Sequence, residues 1–87
     1  MKKKLTHHFW MYEMGAEMIS TVNAWDHAIE NKDKETAFAM QNRWEAFQIS
    51  CRYIFGIELH FTRTTENYGI CDDSENFFYK VERCENK

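Results

Sequence analysis

The stretch GIELHFTR, residues 56–63, marks the place where this chain changes period. Upstream of Gly56, apolar residues recur every three or four positions, the repeat of a helix face. Downstream, Ile57, Leu59 and Phe61 alternate with Glu58, His60 and Thr62, the repeat of a strand with one buried side. The run is short, so it also admits a second reading as the last turns of the preceding helix. Thr64 and Thr65 are β-branched and end any comfortable helix there. A strand makes a small antiparallel sheet. A helical extension leaves the C-terminal half with a β-hairpin alone.

Working back from Gly56, the residues Ala37, Met40, Trp44, Phe47, Cys51 and Ile54 are spaced 3, 4, 3, 4 and 3 apart. This is a heptad-like stripe, and it predicts a helix over about 34–56 with Gly56 as its C-cap. The preceding ENKDKE, residues 30–35, is turn chemistry, with Asp33 placed to cap the helix. Further back, Met11, Met14, Met18, Val22, Trp25 and Ile29 predict another helix over about 7–30, with Thr6 as its N-cap. Gly15 inside it costs roughly 0.5–1 kcal/mol against alanine and admits a close neighbour. So short a connection makes the helices an antiparallel hairpin, stripe to stripe, with Trp25 and Trp44 among the anchors. Helices of ~23 residues run to about 35 Å, long for this chain. The surplus apolar stripe points to self-association, most simply as a two-fold homodimer.

Working forward, NYGIC (67–71) and FFYKVER (77–83) are rich in strand formers, and DDSEN between them is a turn. The predicted fold is α+β: a long antiparallel two-helix hairpin followed by a small C-terminal β-hairpin or short antiparallel sheet. Residues 1–87 form a single domain, with the β region over about 57–83. A domain this short hides only about 60–65% of its unfolded surface, and its 7 Phe, 4 Tyr, 3 Trp and 5 Met supply a dense core.

Composition narrows the function. The net charge is −3, and Lys2, Lys3 and Lys4 account for three of the 11 basic residues against 14 acidic ones. The body of the chain is therefore more acidic than the total and repels phosphate backbones, which makes nucleic acid an unlikely partner. The basic start MKKKLTHHFW keeps a nucleic-acid or regulatory role as an alternative. Cys51, Cys71 and Cys84 are an odd number without tight spacing, which favours reduced thiols and a cytoplasmic location over a secreted disulfide framework. No segment approaches the ~18 apolar residues of a membrane span.

The usual chemistries find little support. His7, His8, His27 and His60 with the cysteines contain no paired zinc spacing, so no metal and no other cofactor is expected. Cys51 lies on a core stripe, and Cys71 adjoins Asp72 and Asp73, which disfavour a thiolate. DDSEN lacks the calcium-loop pattern. Its carboxylates share one solvated turn, which does not separate their pKa values for acid–base work. No enzymatic activity is expected.

What remains is TTENYGICDDSENFF, residues 64–78, with four acidic groups and no basic one. Carboxylates beside aromatic rings steer and hold a basic protein. The predicted contact residues are Glu66, Tyr68, Asp72, Asp73, Glu75 and Phe78, with Phe77 and Tyr79 sharing one face of the hairpin and Phe78 on the other. The expected function is a non-enzymatic interaction module, an acidic inhibitor or adaptor that docks on a basic, nucleic-acid-handling partner. Compact acidic proteins of phages and mobile elements that block defence nucleases are a physical analogy. A homodimeric assembly subunit is the other alternative.

Overall fold

The computed structural model describes residues 14–83. The expected first turns of the leading helix with Thr6 and Met11, the Lys2–Lys4 cluster, His7, His8 and Cys84 lie outside these residues. Two helices, α1 (Met14–Glu30) and α2 (Lys34–Phe55), precede three strands, β1 (His60–Arg63), β2 (Asn67–Cys71) and β3 (Phe77–Glu82). The strands form one antiparallel sheet in the order β1-β2-β3. The architecture is the expected α+β one, with the sheet rather than a lone hairpin.

Local chemistry sets the helix ends. Asp33 caps α2: its carboxylate accepts from the Thr36 backbone N–H at 3.1 Å and from the Thr36 hydroxyl at 2.7 Å. Gly56 closes it in the left-handed region (φ 71°), where its N–H reaches the carbonyls of Arg52 and Cys51. The helices meet through Met18 and Val22 of α1 and Trp44 and Cys51 of α2, all buried. Cys51 Sγ lies 3.8 Å from Met18 Sδ, and burial pushes its thiol up to about 11. Arg43 adds a polar tie by donating to the Thr21 hydroxyl at 2.9 Å and pairing with Glu17.

One stripe position departs from expectation. Ile54 is 43% exposed. A strict 3.5-residue repeat drifts about 20° per heptad around a straight helix, so the end of the stripe leaves the contact.

The sheet lies against α1. Leu59 and Ile70 complete the core with no exposed surface, and full burial of such a side chain contributes about 1.5–3 kcal/mol. Trp25 stacks on Phe61 with ring centroids 4.2 Å apart. Asn23 of α1 accepts hydrogen bonds from both Tyr68 (2.7 Å) and Tyr79 (3.1 Å). The alternation of Ile57, Leu59 and Phe61 holds, since all three contact the core. The strand nevertheless begins only at His60, because the Leu59 carbonyl accepts from the Gln48 side chain at 2.6 Å and stays outside the ladder. Gly69 is needed where β2 approaches β3: a Cβ there would sit 2.0 Å from the Tyr79 carbonyl oxygen.

A bulge interrupts β2 and β3. Ile70 pairs with Tyr79, but Cys71 pairs with Phe77, so Phe78 is the extra residue. It overturns the simple alternation expected for the aromatic run. Phe78 and Tyr79 both pack on the core, while Phe77 is 40% exposed.

Candidate functional site

Strand β2 ends at Cys71 and hands the chain to Asp72, which builds the turn. Its backbone N–H donates to the Asn76 carbonyl at 3.1 Å, and its carbonyl accepts from the Glu75 N–H at 3.0 Å. Its carboxylate accepts from the backbone N–H groups of Ser74 and Asn76, both at 2.9 Å. This is an Asx turn closed twice over. The Asn76 backbone donor, helped by that of Ser74, holds the Asp72 carboxyl below its ordinary range. Asp72 therefore organises the turn and points its charge inward along the loop.

Glu75 sits in the left-handed region at φ 64°. For a residue with a Cβ that conformation costs roughly 1 kcal/mol. The clamp around Asp72 holds it. Asp73 is left facing out, with its side chain 70% exposed and Oδ1 2.5 Å from His60 Nε2. His60 reaches it because the register puts His60 opposite Cys71, directly beside the turn. Phe77 lies across from Cys71 on the other side, with Lys80 Nζ 5.1 Å from its ring centre.

Together these groups line an open hollow of about 590 Å³ whose walls include His60, Thr62, Cys71, Asp73, Glu75 and Phe77. Cys71 at its floor is 8% exposed. Burial raises its thiol pKa, and Asp72, Glu75 and Asp73 raise it further, as the neighbouring charges in the sequence suggested. The hollow offers carboxylates, an imidazole and an exposed aromatic edge.

The predicted contact residues divide. Asp72, Asp73 and Glu75 come together. Glu66 lies in the β1–β2 turn at the opposite end of the sheet, where its carbonyl accepts from the Arg83 N–H at 2.9 Å. Tyr68 is half-buried against α1 through Asn23 and beneath the Arg83 guanidinium, which sits 5.3 Å from its ring centre. Phe78 packs on the core. His60 and Phe77 were read from the sequence as a strand residue and a hairpin aromatic, and not as contact residues. Their place depends on strand register and on the bulge, which no local pattern specifies.

The charge of the region also changes once pairings are known. Glu58 is engaged by Arg52. Arg63, the one basic residue between 57 and 76, faces the far end of the sheet and pairs with Asp26 at 2.8 Å and Glu30 at 2.6 Å. The acidic turn is thus not neutralised by Arg63. Among the described residues, no group of three or more His, Cys, Asp or Glu is placed to hold a metal ion. No helix among them is long and apolar enough to cross a membrane. No family model matches the sequence, and no curated protein or solved structure is significantly similar to it.

Proposed function

We propose that this protein is a non-enzymatic interaction module that docks the Asp72–Asn76 end of its sheet on a basic protein surface. One observation carries the reading: the turn is built before any partner arrives, with Asp72 clamping the loop and Asp73, Glu75 and Phe77 presented around one open hollow. A preorganised surface loses little freedom on binding, so more of its contact energy appears as affinity. Exposed carboxylates steer a basic partner and speed its capture. Basic grooves of this kind belong to proteins that handle nucleic acid, and the acidic turn would stand in for phosphate. A small cytoplasmic inhibitor or adaptor, of which a phage or mobile-element counter-defence protein is one instance, fits that chemistry.

The test uses Asp73→Lys with Glu75→Lys, which leaves the Asp72 clamp intact. Tagged wild type and double variant are incubated with lysate of the native host, and retained proteins are identified by mass spectrometry. The expected result is a basic, nucleic-acid-handling protein on the wild type, lost from the variant and displaced by added duplex DNA. A partner retained equally by both proteins, or one that DNA does not displace, would sink the proposal.

A further inference from the structure

Helix α2 is apolar on two sides. Trp44 and Cys51 face α1 and are buried. On the opposite side stand Phe38 (64% exposed), Ile49 (48%) and Tyr53 (79%), with exposed Ala39 and Ala46 between them. These positions have an order. Glu35, Asn42 and Ile49 recur every seven residues, and so do Ala39, Ala46 and Tyr53. The two rows interleave at spacings of four and three, the pattern of a seam between helices. Among the described residues, nothing covers it.

We propose that this outer face of α2 is a dimer seam, taken by α2 of a second copy running antiparallel about a two-fold axis beside residues 44 and 45. The proposal stands apart from the acidic turn, which is on the sheet. Two features favour a second copy. First, the seam is self-complementary in size. Antiparallel alignment sets Ala39 beside Ile49 of the other copy, and Ala46 beside Asn42, small against large. Under a two-fold axis each such contact occurs twice.

Second, the charges agree. The same alignment sets the Glu35 carboxylate beside the Tyr53 hydroxyl of the other copy, and the Arg52 guanidinium beside the Phe38 ring. It also places the positive N-terminus of each helix beside the negative C-terminus of the other. The size sets the strength. A helix of 22 residues is about 33 Å long, and a strip about 10 Å wide on each copy amounts to roughly 660 Å² in total, the size of a weak, transient association. One contact is unfavourable: the two Glu45 carboxylates approach each other across the axis.

Sedimentation equilibrium of the full chain, with reductant present, tests this. Wild type is expected at twice the single-chain mass at concentrations on the order of 100 µM. Ile49→Glu with Tyr53→Glu is expected at the single-chain mass with its circular dichroism unchanged, because both side chains are exposed in one copy. Glu45→Gln removes the repulsion and is expected to tighten the dimer about threefold or more. A single-chain mass for wild type would overturn the proposal and leave the seam to another protein. A dimer that survives the double charge substitution would overturn it as well. An unchanged or weaker dimer in Glu45→Gln would overturn the antiparallel pairing.

Discussion

Both ends of the sheet hold carboxylates and put them to opposite use. At the end holding Arg63 and Arg83, the charges close on one another. Asp26 is 6% exposed and accepts from Arg63 Nε at 2.8 Å and from Arg83 Nη1 and Nη2 at 3.1 and 2.6 Å. Glu30 pairs with both arginines as well, 2.6 Å from Arg63 Nη2 and 3.4 Å from Arg83 Nη1, while Arg83 Nε donates to the Thr64 carbonyl at 2.9 Å. At the end holding Asp72 to Asn76, one carboxylate is tied to backbone N–H groups and its neighbours face solvent. A count of charges along the chain does not show that Asp26 and Glu30 of α1 meet Arg63 and Arg83. What separates them is whether a guanidinium is within reach, and only the fold decides that.

The strongest way to break this contrast is to open the closed end. Asp26→Ala leaves two guanidinium groups without their main acceptor at a half-buried site. It is expected to lower unfolding stability by about 2–4 kcal/mol in urea titration. Asp73→Ala at the open end is expected to shift the melting temperature by no more than about 2 °C. A similar loss in both variants would erase the distinction.

A smaller effect sharpens it. Burial pushes the Asp26 carboxyl up, but hydrogen bonds and charge from Arg83 and Arg63 outweigh that and hold it below its ordinary range. A carboxyl whose folded pKa is depressed contributes stability that is full above its unfolded value, about 3.9. That contribution fades as pH falls through the folded value. Wild type is thus expected to lose stability below about pH 5 more steeply than Asp26→Asn, which has no proton to take up. Parallel acid limbs in chemical denaturation of the two proteins would contradict the assignment.

The smallest expected effect is local. Asp72→Ala removes the acceptor for the Ser74 and Asn76 amides. Hydrogen exchange should accelerate at those two amides and leave the amides of Ile70 and Tyr68 protected. Unchanged exchange at Ser74 and Asn76 would show that the backbone bonds between Asp72, Glu75 and Asn76 suffice to hold the turn.

Much of the fold was legible because its signals are local. Asp33 and Gly56 bracket α2 through contacts within five residues of themselves. The shift of period at Gly56 left a strand and a longer helix both open, and the structure takes the strand, with α2 ending at Phe55 and β1 running His60–Arg63. The true start of β1 was hidden, because it depends on the Gln48 side chain meeting the Leu59 carbonyl. The site was half legible for the same reason. Asp72, Asp73 and Glu75 are together in space because they are adjacent in the chain. Glu66 reads as their neighbour, yet the whole of β2 lies between, about 17 Å of extended backbone. Phe78 reads as outward until one extra residue in β3 reverses its parity.

The tie between Asp26 and Arg83 also bears on how the chain is made. The two residues are 57 positions apart. During synthesis, Asp26 and α1 emerge well before Arg83, and domains generally fold as units once their last element is available. Until residue 83 has cleared the ribosome, the carboxylate has at most the guanidinium of Arg63, and the sheet lacks the residue that locks its third strand to the first helix. The nascent chain therefore carries an incompletely compensated acidic site on α1 until Arg83 is free to pair with it.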